Sequence, residues 1–209
     1  MTAPASRAAL LALHYQNDVL HADGRIRVGL AQDSSDRDRV VARATALLDG
    51  ARAQGLPIVH VRVAFRADYA DLVANCAIFK AVAASGAVVA GTWGSAFLDR
   101  LAPDPASASE VVVTHKRISA FQGTPVQELL RGWGVERLVV AGVATHSVVE
   151  GTVRHAADIG YHVMVAADAC ASAAQAVHDA SLANMRLIAE VGDVETALAW
   201  AARNDLETT

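Results

Sequence analysis

The chain has 209 residues, of which 53% are hydrophobic and 19% are charged, and its formal net charge is −4. This composition excludes an intrinsically disordered protein, and the lack of any basic run argues against a protein that binds nucleic acid or an anionic membrane surface. The length suits a single domain, residues 1–209, with a large core.

The cysteine content and the N-terminal segment bear on the cellular setting. Cys76 and Cys170 are the two cysteines of the chain, too few for a disulfide framework, which favours a reducing compartment. The apolar stretch at residues 8–13 is too short to span a membrane, and no cleavage pattern of a signal peptide follows it. We therefore expect a cytoplasmic protein.

Apolar, β-branched runs alternate with helical patterns along the chain. The predicted strands cover residues 8–13, 57–65, 111–114, 138–141 and 162–167. The predicted helices cover residues 39–52, 124–133, 146–159, 174–190 and 193–203. Strand-helix repetition predicts an α/β fold with a parallel sheet covered on both faces, and ligands bind such sheets beyond the carboxyl ends of the strands. Residues 66–109 are expected to form a helix and loops that cover the site.

Polar residues follow the first and third predicted strands. Asp18 would suit a general acid or base, but from spacing alone the pair Asn17-Asp18 is more typical of a turn. Lys116 would either pair with Asp18 or extend into solvent. The residues alone leave both alternatives open.

The fourth predicted strand turns sharply into a helix at residues 141–146. The first N–H groups of that helix have no partner within it and would face the crevice at the strand ends, where they can bind an anion or an oxyanion. A tight turn with Thr145 as the helix cap accounts for the same residues without a ligand.

Six motifs between about residue 8 and residue 190 together resemble the isochorismatase-like (cysteine hydrolase) superfamily. In chain order they are Gln16-Asn17-Asp18, Gly91-Thr92-Trp93-Gly94, Lys116 with Ser119-Ala120-Phe121, Gly142-Val143-Ala144-Thr145, the helix at 150–158, and Asp168-Ala169-Cys170-Ala171. Each motif alone is weak evidence, but their order and spacing match the superfamily.

The resemblance implies a three-layer fold with a six-stranded parallel sheet of Rossmann-type topology. It also implies a pocket in which Asp18, Lys116 and the residue at position 148 converge. In the cysteine members the aspartate accepts the thiol proton, the lysine holds the charges in place, and the thiolate attacks an amide or related carbonyl carbon. The implied oxyanion donors are the backbone N–H groups of Ala144, after a cis peptide bond from Val143, and of residue 148.

The same resemblance supplies the expected walls of the pocket. The expected substrate contacts are Tyr15, Gln16, Trp93, Ser119, Phe121, Val143, His146 and Ser147. The first strand ends in His14-Tyr15, where many relatives have Asp-Met, so these two residues are expected to line an altered pocket. No histidine follows the second strand at residues 65–70, where nicotinamidase-type relatives bind a metal, so we predict no metal and no other cofactor.

Position 148 departs from the superfamily pattern, because Val148 stands where a cysteine is expected. Valine has no nucleophilic atom, and the neighbouring Ser147 should point about 100° away on a helix. Cys76 and Cys170 are expected to be packing residues. The true isochorismatases also lack the cysteine; in them an aspartic acid protonates a vinyl ether carbon and water then attacks.

The sequence therefore predicts a hydrolase in which Asp18 and Lys116 assist the attack of water on a small molecule. A catalytically silent, metabolite-binding protein of the same fold is the alternative. The expected partners are a small-molecule substrate and further copies of the chain in a homodimer or homotetramer, with no nucleic acid and no membrane.

Overall fold

A six-stranded sheet forms the centre of the computed structural model, which describes residues 7–203. The strands are β1 Ala8–Leu13, β2 Ile58–Val63, β3 Glu110–His115, β4 Arg137–Gly142, β5 His162–Ala166 and β6 Glu190–Gly192. The helices are α1 Asn17–Leu20, α2 Arg37–Ala53, α3 Ala77–Ser85, α4 Val126–Gly132, α5 Glu150–Asp158, α6 Gln175–Met185 and α7 Val194–Ala201. The strand order is β3-β2-β1-β4-β5-β6, and every neighbouring pair is parallel. This architecture confirms the predicted fold class.

The central strands have continuous apolar sequences because protein covers both of their faces. Every residue of β1 and of β4 is buried. The expectation of two-sided cover is wrong for β3, an edge strand in which Val112 and Thr114 are exposed on one face. There Val112 is 42% exposed.

Two helical predictions also need correction. The helix expected over residues 174–190 ends at Met185, because Glu190–Gly192 leaves the helix and pairs with β5 as the sixth strand. The helix expected over 146–159 begins with a π-helical turn, Thr145–Val149, before α5. In residues 66–109 the chain forms α3, two short 3₁₀ turns and loops.

The topology opens a crevice between the carboxyl ends of β1 and β4. β1 has β2 on one side and β4 on the other, so the chain adds strands first in one direction and then in the opposite direction from β1. Ligands bind at such a reversal point in open α/β sheets. A glycine closes β4 because a Cβ at Gly142 would lie 2.2 Å from the Leu13 carbonyl oxygen. His14 directly follows β1 and Val143 directly follows β4, and both residues line the crevice.

Within residues 7–203 no helix is both long enough and apolar enough to cross a membrane.

Candidate functional site

A narrow cleft lies at the carboxyl ends of β1 and β4 and has a cavity volume of about 50 Å³. Its walls are mainly apolar side chains from the strand ends, α3 and the turn before α5. The lining residues are His14, Val19, Ile26, Val28, Val63, Phe65, Ile78, Phe79, Val82, Arg117, Ile118, Val143, Ala144, Ser147 and Val148. A cleft lined mainly by apolar side chains, with a few polar groups among them, suits a ligand with a partly apolar body.

Two histidines meet beside this cleft. His14 follows β1 with a φ of 58°, a left-handed conformation that histidine adopts more often than most residues. Its Nε2 contacts Nε2 of His115, the last residue of β3. The other ring nitrogen of His115, Nδ1, lies 3.3 Å from the Ser119 carbonyl oxygen. His14 keeps some exposure to the cleft, whereas His115 is buried behind it.

Burial lowers the pKa of both imidazoles. The pKa of His115 falls to about 4, although the Ser119 carbonyl favours the charged ring. The pKa of His14 lies well below its usual value because of burial and, secondly, the neighbouring His115, with the Val143 carbonyl acting in the opposite direction. Both rings are therefore neutral at pH 7, and a neutral imidazole nitrogen can accept a proton.

The lowered pKa of His115 predicts a loss of stability in mild acid. Between pH 6.5 and about pH 4 the unfolded chain binds a proton at His115 that the folded chain does not, so the free energy of unfolding falls as pH falls. The shift corresponds to about 3 kcal/mol from this residue. Urea unfolding at pH 7 and pH 4.5 should show a smaller difference for His115→Gln than for the wild type. The exposed-site control His162→Gln should keep the wild-type difference, and an unchanged difference in His115→Gln would contradict the prediction.

Asp18 does not reach the cleft, contrary to expectation. Its Oδ1 accepts from the backbone N–H of Arg25 at 3.2 Å, and its Oδ2 accepts from that of Val88 at 2.7 Å. Val88 has a φ of 49°, which is strained for a β-branched residue, and the carboxylate holds it there. The expected meeting with Lys116 fails because the oxygens of Asp18 bond the loops that follow α1 and α3, whereas Lys116 pairs with Asp71.

The two motifs around Asp18 instead pack against each other. Asn17 Nδ2 donates to the Trp93 carbonyl at 2.9 Å. A Cβ at Gly94 would lie 2.1 Å from Asp18 Oδ2, so this position requires glycine. Trp93 is 52% exposed and, together with Asp18, lines a second cavity of about 270 Å³ that shares no lining residue with the cleft.

Lys116 also points away from the cleft. Its Nζ lies 2.6 Å from Asp71 Oδ2, and its side chain is 44% exposed. The physical reason is alternation, since successive residues of an extended chain point to opposite sides. His115 takes the inward position, so the expected register of this segment is wrong by one residue.

The turn after β4 lies along the cleft. The peptide bond between Val143 and Ala144 is cis, which confirms that expectation. No acceptor among residues 7–203 bonds the N–H of Ala144. Val148 is buried against the cleft, and Ser147, expected to contact the substrate but to point away from position 148, also lines it.

The remaining expected contact residues bond or pack elsewhere and do not line the cleft. Tyr15 donates to the Ala169 carbonyl, and Gln16 bonds the backbone of Val63 and Ser95. Ser119 bonds His155, Phe121 stacks on Tyr161, and His146 bonds Ser172. None of these side chains lines the cleft described above.

The predicted site included neither Arg117, which lines the cleft, nor His115, which lies behind it. The available signal was the alternation of β3, in which Val113 and His115 are buried and Thr114 is exposed. Arg117 lies two residues beyond the end of β3 and lines the cleft. A helix was expected in residues 66–109, over the site, but its sequence did not indicate that Phe79 and Val82 of α3 line the cleft.

Neither native cysteine is among the residues that line the cleft. Cys170 is buried, bonds the Ala166 carbonyl and has a pKa raised by burial to about 12. Cys76 precedes α3. In the part of the chain that the structure describes, no group of three or more His, Cys, Asp or Glu side chains is arranged to hold a metal ion.

A new thiol at position 148 tests which residue faces the cleft. Val148→Cys places sulfur at the start of a helix, where the thiol pKa falls by one unit or more, which increases the thiolate fraction about tenfold at pH 7. We expect iodoacetamide to alkylate this residue faster than Cys76 or Cys170, as measured by mass spectrometry of each peptide. Alkylation no faster than at Cys76 would mean that position 148 does not face the cleft.

A family model for the isochorismatase domain matches residues 8–196. The chain belongs to the isochorismatase family. It is 32% identical to the isochorismatase family protein YecD of Escherichia coli O157:H7, over 77% of this chain and 82% of that protein. It is 27% identical to the ureidoacrylate amidohydrolase RutB of Stutzerimonas stutzeri, over 96% of this chain and 81% of RutB.

A solved structure of the isochorismatase family has the same fold. The isochorismatase family protein from Desulfovibrio vulgaris Hildenborough superimposes with a TM-score of 0.82 at 29% identity, over 95% of this chain and all of that one. The members of this family are hydrolases.

Proposed function

We propose that this isochorismatase-family protein hydrolyses a small amide-type substrate by the direct attack of water, with the histidine pair His14 and His115 in the role of the base. The observation that carries the proposal is a neutral imidazole pair beside the cleft, next to the unpaired N–H of Ala144. Titratable groups with strongly shifted pKa values in a cleft are typical of catalytic sites.

The chemistry follows from these groups. The facing Nε2 atoms of His14 and His115 take up a proton from water as the water oxygen attacks the carbonyl carbon. The Ala144 N–H donates to the oxygen that becomes negative, which stabilises the tetrahedral intermediate. The proton then passes from His14 to the leaving nitrogen as the carbon–nitrogen bond breaks, and the products are an acid and an amine. His115 holds the imidazole of His14 in place through the contact between their Nε2 atoms.

The mechanism requires no protein thiol. Val148 lines the cleft where the family resemblance leads us to expect a cysteine, and neither native cysteine is among the lining residues. His14 lies at the position where many relatives have aspartate. In this proposal an imidazole pair takes the place of the aspartate that accepts the proton, and water takes the place of the thiolate.

The substrate class rests on a relative and on the lining of the cleft. RutB is named a ureidoacrylate amidohydrolase, and the cleft combines apolar walls with His14, Arg117 and the N–H of Ala144. We therefore propose small amides and ureido compounds as the substrates.

The test is a panel of small amides, ureido acids, esters and vinyl ethers, assayed for ammonia or acid release before and after iodoacetamide treatment. We expect turnover of an amide or ureido compound that persists after alkylation of Cys76. Loss of activity on alkylation would show that a thiol takes part and would contradict the mechanism. A panel without any turnover would refute the hydrolase.

One observation favours a second candidate, a catalytically silent binding protein. Among the described residues that line the cleft there is no carboxylate, ammonium group or thiol. A panel without turnover, combined with calorimetric binding of one of its compounds, would support this alternative.

A further inference from the structure

Arg117 is the charged residue among those that line the cleft. It follows β3 by two residues and is partly exposed. Its guanidinium carbon lies 4.8 Å from the centre of the Phe79 ring. Nη2 donates to Asn75 Oδ1 at 3.2 Å, and Nη1 lies 3.4 Å from the Val73 carbonyl oxygen. These contacts fix the guanidinium at the wall of the cleft.

No carboxylate in residues 7–203 lies within 4.0 Å of this guanidinium. The adjacent Lys116, by contrast, pairs with Asp71. The partners of Arg117 are a carbonyl, an amide oxygen and an aromatic face, all uncharged, so its positive charge is not neutralised. A guanidinium has five N–H donors, and the two contacts use two of them. Donors therefore remain for a ligand.

We infer that Arg117 binds a carboxylate of the substrate, so that the ligands of this cleft are small carboxylic acids. This inference rests on the proposed function, because it names the substrate class of the same site. Its geometry suits a short ligand with an acid group at Arg117, an apolar middle against Phe79 and Ile118, and a carbonyl group at His14 and Ala144. The planar guanidinium matches a carboxylate with two parallel hydrogen bonds.

The experiment compares a carboxylate with its neutral amide. Calorimetry measures the binding of 3-ureidopropionate and of 3-ureidopropanamide to the wild type, to Arg117→Gln, to Arg117→Lys and to the control Arg62→Gln. Arg62 contacts Thr114 and lies outside the cleft. We expect the wild type and Arg62→Gln to prefer the acid about 10- to 100-fold, as charge-assisted hydrogen bonds allow. Arg117→Gln should lose this preference, and Arg117→Lys should keep part of it.

Three results would overturn the inference: equal binding of acid and amide to the wild type, no binding of the acid to the wild type, or an unchanged preference in a folded Arg117→Gln. Binding is measured without turnover, so the two proposals can fail separately. A clear acid preference without hydrolysis would refute the hydrolase and retain the role of Arg117. Hydrolysis of neutral amides that does not depend on Arg117 would refute this inference and retain the hydrolase.

Discussion

His14→Asn is expected to lower kcat/KM for the hydrolysed substrate about 100-fold or more, because general-base catalysis contributes about 10²- to 10⁴-fold. Asparagine tolerates the left-handed backbone at position 14 and keeps a polar side chain, but it cannot take a proton from water. The loss should fall mainly on kcat, since the proton moves only as the transition state forms. Initial rates of ammonia release over a range of substrate concentrations measure both constants.

The matched control for this substitution is His162→Asn, at the exposed start of β5. It should retain the wild-type kcat/KM. His115→Gln should also lower kcat, because it removes the partner of His14. If His14→Asn keeps full activity while Lys116→Gln loses it, the proton acceptor is not the imidazole pair, and the ammonium group that now faces Asp71 takes part after all.

Glu110→Gln is expected to lower the free energy of unfolding by about 3 kcal/mol, the cost of breaking a buried ion pair at one partner. The Glu110 side chain is 1% exposed. It accepts from Arg52 Nε at 2.9 Å and Nη2 at 3.1 Å, contacts His60 Nε2 at 2.7 Å and accepts from the Asp104 N–H at 3.0 Å. A neutral amide cannot accept all of these bonds, and it leaves the charge of Arg52 without its partner.

The pH dependence gives this second prediction a further readout. Burial raises the pKa of Glu110, but hydrogen bonds from Arg52, Asp104 and His60 outweigh it and bring the value to about 2. The folded-state pKa is therefore depressed, so its stabilisation is present above about pH 4.5 and is lost as pH falls toward 2. Urea unfolding should show the deficit of Glu110→Gln at pH 7 and a smaller deficit at pH 3. The exposed control Glu128→Gln should have the wild-type free energy of unfolding at both pH values. The same deficit of Glu110→Gln at pH 7 and at pH 3, or no deficit at either, would contradict the prediction.

The fold was largely predictable because buried parallel strands have a distinct sequence pattern. The first strand, Ala8–Leu13, was predicted with its observed bounds, since six apolar residues are followed at once by polar ones. The sixth strand was not found from the residues alone. Glu190–Gly192 has three residues and continues directly from a helical pattern, so its extended conformation depends on pairing with β5, a tertiary contact.

The candidate site was less predictable, because it depends on the direction of single side chains. A motif locates Asp18 and Lys116 to the correct strand ends, but a shift of one residue reverses the direction of a side chain. That shift exchanges Lys116 for His115. At the end of β1, the turn takes Asp18 past the crevice and into the bonds with Val88 and Arg25. Val88 is 70 residues away from Asp18 in the sequence and Arg25 lies in a loop, so no local sequence pattern predicts these bonds.

A crystal structure of His14→Asn soaked with 3-ureidopropionate tests most directly whether this cleft is the site. We expect electron density for the ligand between Val148 and Arg117, with the ureido carbonyl oxygen about 3 Å from the Ala144 nitrogen, the distance of an oxyanion donor. Density in the cavity between Asp18 and Trp93, with none in the cleft, would contradict the assignment.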